Sequence, residues 1–330
     1  MESHLWNYQI MGELMIKFQR MGIVMKPLKD QFGSFARFNP GVLLQDGIVH
    51  MLYRATNSDI KDGTNYISYI GYAKLDTNTN ILYDSNDKVI YPTLPEEMKG
   101  CEDPRIVEFE GSFYVFYTAY DGITARVAIV RTEDFIQYDK MGVIKHFTWD
   151  KDAFIFPERI NGRIAYLHRI SPNIQLDYFD SFDELLSLNA WSDYENKINT
   201  STIMKSEYFW ENQKIGASVP PIKTDQGWLL LYHAVDDKFV YRGSVALLDL
   251  NNPSKVIARI PYPLLEPEEE YELYGDVNNV VFPEGAYIFE GQLYIYYGAA
   301  DKYIAVAKIA IDELLRELHN YPVHEINEKK

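Results

Sequence analysis

The sequence holds a single cysteine, Cys101, among its 330 residues. No internal disulfide can form, and a reducing compartment suits such a chain. Long apolar runs are missing as well, and nothing approaches the ~18 consecutive apolar residues of a membrane helix. The N-terminus, MESHLWNYQIMGELMIKF, lacks a basic leader followed by an unbroken apolar stretch, so it does not read as a secretory signal. Together these absences predict a cytoplasmic protein. Cations are in deficit, with 32 Lys and Arg against 48 Asp and Glu, a net charge of −16. Such a surface repels nucleic acid and anionic membranes, and neither is expected as a partner. The phosphate loop GxxxxGKS/T and a GxGxxG after a strand are both absent, which removes support for nucleotide binding. There is no HExxH, no paired CxxC and no GxSxG nucleophile elbow, so no metal and no organic cofactor is expected.

Aromatic residues, by contrast, are abundant: 26 Tyr, 17 Phe and 5 Trp make up 15% of the chain. They favour strands, and most of them are expected in sheet cores. Five segments share one pattern, in which a polar or proline-containing approach leads to a strand, a tight Gly turn and an aromatic-rich strand. They read FNPGVLLQDGIVHMLYRAT, EDPRIVEFEGSFYVFYTAY, DAFIFPERINGRIAYLHRI, SVPPIKTDQGWLLLYHAV and FPEGAYIFEGQLYIYYGAA. Their turn glycines, Gly47, Gly111, Gly162, Gly227 and Gly291, lie 64, 51, 65 and 64 residues apart. Each follows Asp, Glu, Asn or Gln, as two-residue hairpin turns require. Every interval has room for one or two further strands, such as YISYIGYAKLD or RGSVALLDL.

Three to four strands repeated five times predict an all-β fold, a five-bladed β-propeller. Helix signals appear only near the ends, in NYQIMGELMIKFQRM and IDELLRELHN. The expected organisation is one domain over residues 1–330: a helical N-terminal extension (1–21), the propeller (about 22–315), and a C-terminal helix and tail (311–330). The amphipathic N-terminal segment suits docking on a second subunit, giving a homo-oligomer, or capping a blade.

A propeller carries function where its repeats meet around the axis. Arg54 and Arg169 stand seven residues after their turn glycines, and His233 stands six after its own. Asn39 and Asp103 stand eight residues before theirs. Residues far apart in the chain are thereby predicted to converge. Asp103, ahead of Pro104, also has the look of a simple turn residue. Tyr117, Tyr120, Tyr232 and Tyr241 are candidates for the cleft wall, with core packing the competing role.

Several blocks in collinear order, over roughly residues 35–315, resemble glycoside hydrolase family 130. They are EDPR with YTAYDG (Glu102–Arg105 and Tyr117–Gly122), KDAFIFPERINGRIAYLHR (Lys151–Arg169), KIGASVPPIKTDQGWLLLYHAVD (Lys214–Asp236), YRGSVALLDLNNPSKVIARIPYPLLEPE (Tyr241–Glu268) and NNVVFPEGAYIFEGQLYIYYGAAD (Asn278–Asp301). The resemblance implies a five-bladed propeller that cleaves β-mannosides with inorganic phosphate as co-substrate, inverting to α-mannose 1-phosphate. Asp103 matches the general acid, and in the family its proton is thought to pass through the mannose 3-hydroxyl. Arg169 and His233 match phosphate-binding positions, with Lys151 and Arg242 as cations nearby. Asn39, Arg54, Asp103, Lys214 and Asp301 match substrate contacts.

Phosphate is already an anionic nucleophile, so one acid suffices, whereas an inverting hydrolase needs a second carboxylate to activate water. Asp121, Asp152 and Glu158 are the candidates for that alternative. A non-catalytic carbohydrate-binding propeller is a further alternative, one that would bind mannosides without cleaving them. One departure from the family pattern stands beside the site, where Ser218 and Val219 replace a more usual Gly-Pro. It bears on linkage and acceptor.

Overall fold

The computed structural model describes residues 15–59, 61, 65–145 and 148–323. β1 (Gln19–Met25) precedes five antiparallel sheets. The first contains β2 (Ala36–Gln45), β3 (Ile48–Thr56), β4 (Tyr69–Asp76) and β5 (Ile81–Ile90). The second contains β6 (Gly100–Phe109), β7 (Ser112–Tyr120), β8 (Ala125–Thr132) and β9 (Asp139–Val143). The third contains β10 (Lys151–Ile155), β11 (Ile164–Arg169), β12 (Ile174–Phe179) and β13 (Thr202–Met204). The fourth contains β14 (Lys214–Ala217), β15 (Ile222–Lys223), β16 (Trp228–Val235), β17 (Tyr241–Leu248) and β18 (Val256–Arg259). The fifth contains β19 (Val281–Phe289), β20 (Gln292–Ala299) and β21 (Tyr303–Ala310), and β1 pairs antiparallel with β21 to complete it.

The sheets are the blades of a five-bladed propeller, and the five turn glycines sit at the β2–β3 hairpin and its counterparts. Closure by β1 ties the start of the chain to its last blade. Residues 1–14 of the expected helical extension lie outside the described residues, and Gln19–Met21 are strand rather than helix. The expected C-terminal helix is present at Ile311–His319, with Leu314, Leu315 and Leu318 buried on one face. Three short helices that the sequence reading did not expect (Phe182–Leu186, Leu188–Trp191 and Tyr194–Ser201) interrupt the third blade. Ser181 and Ser187 cap the first two by accepting from the backbone N–H of Glu184 and Asn189.

Apolar residues lie between the blades, where neighbouring sheets pack face to face. One cluster joins Phe116, Phe154, Tyr166 and Trp228; another joins Leu231, Val245, Ile295 and Leu314. The middle strand of a blade is therefore covered on both faces, and β16, WLLLYHAV, is buried along its whole length. This is why its sequence shows no alternation of apolar and polar residues.

The innermost strands pack against one another around the axis. At Gly41 a Cβ would lie 2.1 Å from the Pro104 carbonyl oxygen of the next blade, so only glycine permits that approach. Register shifts show where these strands bulge: between Phe38 and Pro40, Glu102 and Arg105, Lys151 and Phe154, and Pro283 and Gly285. Three bulge residues have left-handed backbones, Asn39 (φ 48°), Asp103 (φ 54°) and Asp152 (φ 53°). Asn and Asp tolerate that region better than other side chains, for which it costs about 1–2 kcal/mol. Each bulge re-aims one polar residue toward the axis. Repetition of the blade thus generates a ring of polar groups. Among the described residues no helix is long and apolar enough to cross a membrane.

Candidate active site

A cavity of about 280 Å³ opens where the bulges converge. It is lined by Asn39, Arg54 and Asp103 on one side and by Lys151, Asp152, Arg169, Lys214 and His233 on the other. Asp301 and Tyr241 also reach it. Eight of the nine expected site residues are therefore brought together. The ninth, Arg242, is not: its Nη1 donates to Asp236 Oδ2 at 2.8 Å and its Nε to Glu266 Oε2 at 3.4 Å. Adjacent strand residues point to opposite faces, and Tyr241 takes the cavity side.

Asp103 is 6% exposed. Its Oδ1 accepts from Asn39 Nδ2 at 2.8 Å and from Arg54 Nη1 at 3.0 Å, while Oδ2 accepts no hydrogen bond among the described residues. Arg54 is itself fixed by Glu102 Oε1 at 2.8 Å and Ser68 Oγ at 2.9 Å. Burial pushes the Asp103 carboxyl up, but Arg54, Lys151, Asn39 and Arg105 together hold it below the ordinary value.

Asp152 organises the other side. Its Oδ2 accepts from Arg169 Nε at 2.5 Å and lies 3.4 Å from His233 Nε2, while Oδ1 accepts from Arg105 Nη2 at 3.1 Å. Burial would raise this carboxyl, yet Arg169, His233 and Arg105 hold it well below the usual range. Gly216 makes the contact possible, since a Cβ there would meet Asp152 Oδ2 and His233 Cε1 at 2.5 Å each. Ser218 Oγ sits 3.1 Å from His233 Nδ1, so the residue that departs from the family pattern orients the imidazole. Arg169 engages Asp152 only through Nε, and among the described residues neither of its Nη groups has a hydrogen-bond partner. Lys214 makes no hydrogen bond or ion pair among the described residues. Burial and the positive charge of Arg169 bring its amine down to about 8.

Two carboxyls at this site carry raised pKa values. Burial pushes Asp301 up to about 7 against the pull of Arg54. Glu284 is fully buried and is pushed well up by burial, with Arg105 opposing. Arg105 Nη1 approaches it at 3.1 Å, but off the line of a hydrogen bond. Five cationic side chains (Arg54, Arg105, Lys151, Arg169 and Lys214) thus meet four ion-paired acidic side chains, Glu102, Asp103, Asp152 and Glu284, with Asp301 as a fifth acid on the cavity wall. Burial favours the neutral forms of Glu284 and Asp301, which tips the balance toward the cations.

Behind this wall, buried His168 contacts Asp150 Oδ2 at 3.0 Å and Asp177 Oδ2 at 3.1 Å. Burial opposes its protonation, but the carboxylates raise it to about 9, so it braces the strand ends bearing Lys151 and Arg169 as an imidazolium.

Of the other expected residues, Asp121 accepts from the Ile123 and Thr124 backbone and from Arg126 Nη1 at 3.0 Å, on a turn away from the cavity. Glu158 pairs with Lys223 at 2.6 Å on the surface. Tyr117 is buried against Glu97, and Tyr232 against Arg259. The sequence reading did not include Glu102, Arg105, Trp149 or Phe282 in the site. Glu102 and Arg105 flank Asp103 in EDPR, and alternation along a bulged strand was the signal for them.

A cleft of this kind belongs to a carbohydrate-active propeller, and the chain's relatives give the family. A profile of glycoside hydrolase family 130, described as β-1,4-mannooligosaccharide phosphorylase, matches residues 25–320. The chain is 36% identical over 308 residues to the 1,2-β-oligomannan phosphorylase of Thermoanaerobacter sp. (strain X514), covering 91% of this chain and 99% of that one. It is 38% identical over 298 residues to the β-1,2-mannobiose phosphorylase of the same organism, covering 87% and 94%. Its fold superposes on Listeria innocua β-1,2-mannobiose phosphorylase, solved with β-1,2-mannobiose, with a TM-score of 0.77 at 25% identity, covering 92% and 99%. The protein described here is a member of glycoside hydrolase family 130.

Proposed function

We propose that the protein phosphorolyses β-mannosidic bonds, with Asp103 as proton donor and inorganic phosphate as nucleophile, in one propeller domain. The two relatives from Thermoanaerobacter are both named for β-1,2-linked substrates, which supports a β-1,2-mannoside here. Asn39, Arg54 and Asp301 hold the hydroxyls of the mannose being cleaved. Arg169, His233, Lys151 and Lys214 hold phosphate.

The observation that carries this reading is the pair of unengaged groups on opposite sides of one cavity: Asp103 Oδ2, and the Nη fork of Arg169 with the Lys214 amine beside it. A guanidinium fork matches two oxygens of a phosphate. A hydrolase would need a free base on that second side. Asp152 stands there, but Arg169, Arg105 and His233 engage it. Asp301 follows the strand whose Gly298 packs against Asn39, where a Cβ would meet Asn39 Oδ1 at 1.9 Å, and this supports assigning it to the donor's side.

The proton balance also fits. Monohydrogen phosphate brings in one proton and leaves as a doubly charged ester, so the proton finally resides on the departing hydroxyl. Asp103 lends a proton to the leaving oxygen as the C1–O bond breaks and regains one from the new ester. The cationic neighbours of Asp103 favour its ionised form. A bound phosphate offsets those charges and lets its pKa rise.

Cleavage of β-1,2-mannobiose should therefore require phosphate and yield α-mannose 1-phosphate, as read by proton NMR of the anomeric signal. The KM for phosphate should climb above pH about 8, where Lys214 loses its charge. Equal cleavage rates with and without phosphate would overturn the reading.

A further inference from the structure

We propose that Trp149 is the platform on which the leaving sugar stacks, so that this indole sets acceptor recognition in the phosphorolysis proposed above. Among the described residues, Trp149 is the one large apolar side chain that both remains exposed, at 49%, and lines the cavity. Other exposed aromatics, such as Phe209, Phe239 and Tyr274, lie outside it. Tyr120 meets the indole edge-to-face, with ring centroids 5.9 Å apart and planes at 62°, which props the ring without covering it. The backbone is fixed next door, where the Asp150 N–H donates to the Ala125 carbonyl at 3.1 Å.

Depth assigns the ring that stacks there. The groups suited to gripping hydroxyls are nearly sealed: Asn39 is 5%, Asp103 6% and Arg54 9% exposed. The mannose whose bond breaks belongs among them. Phosphate belongs with Arg169 and Lys214, because the negative π face of an indole repels an anion. What remains for a half-exposed apolar face at the mouth is the departing sugar, which must lead outward if longer oligosaccharides are to be shortened. A β-mannopyranose chair suits it. Its axial O2 lies on one face, and the other presents the axial hydrogens of C1, C3 and C5, an apolar patch that an indole can cover. The subsite therefore takes an uncharged pyranose with such a C–H face.

The test is steady-state synthesis from α-mannose 1-phosphate with mannose as acceptor, comparing wild type, Trp149→Ala and Trp149→Phe. In Trp149→Ala the KM for mannose should rise about tenfold or more, from lost aromatic contact and burial. The KM for α-mannose 1-phosphate should stay within about threefold. Trp149→Phe should recover most of the loss, which separates a stacking role from damage to the fold. A mannose KM unchanged in Trp149→Ala, or the two KM values rising together in both variants, would overturn the assignment. Wild-type enzyme that makes no disaccharide at all would instead overturn the phosphorylase reading on which this rests.

Discussion

Asp103→Asn is expected to lower kcat for β-mannobiose phosphorolysis by about a thousandfold, within the usual range for losing a general acid. The substitution keeps the shape of the side chain and an oxygen for Arg54 Nη1, now 3.0 Å away, so the bulge and its left-handed backbone should survive. A thermal melt close to wild type would check that. The diagnostic is the leaving group. An aryl β-mannoside whose phenol departs without a proton should lose about a hundredfold less activity than mannobiose in the same variant. If both substrates suffered equally, Asp103 would be holding the sugar rather than protonating the bond.

Arg169→Met is expected to raise the KM for phosphate by about thirtyfold or more, since removing one partner of a buried charged hydrogen bond costs about 2 kcal/mol or more. The KM for the mannoside should move little. Asp152 keeps Arg105 and His233 after the change, so the fold retains most of its support. Arg169→Lys should fall between, because an ammonium supplies charge without the fork. Steady-state kinetics in both substrates reads the split. A variant in which both KM values rise together would place Arg169 in general scaffolding instead.

Local signals carried much of the fold. Hairpin glycines recur 64, 51, 65 and 64 residues apart, and they marked five blades because each turn takes a positive φ there. The inner bulges were not expected from the sequence, although a polar residue beside a proline, Asn39–Pro40 and Asp103–Pro104, stands at two of them. The parts that were not legible depend on distant partners. β1 pairs with a strand some 280 residues later, and its exposed Met21 and Ile23 blurred the alternation that would have separated it from a helix. The third-blade helices are only five, four and eight residues long, too short to show an apolar period, and serine caps hold only the first two.

The site divides in the same way. Asp103, Arg169 and His233 were legible from repeat position and family pattern together. Asp152 was weighed as a base for water because its neutralising partners, Arg105, Arg169 and His233, come from three different blades. Arg242 was placed by its match to a cationic position of the family, although the two-residue period of a strand sends it and Tyr241 to opposite faces. Trp149 immediately precedes the charged run Asp150–Asp152 and has no repeat counterpart to draw attention to it.

The most direct test is a crystal grown in phosphate with a β-mannoside bound to Asp103→Asn. Tetrahedral density cradled by the Arg169 fork, Lys214 and His233, facing C1 of a mannose whose leaving oxygen lies toward residue 103, is the predicted result. Arg169 and His233 turned away from the sugar, with a water and a free carboxylate beneath C1 instead, would contradict the account.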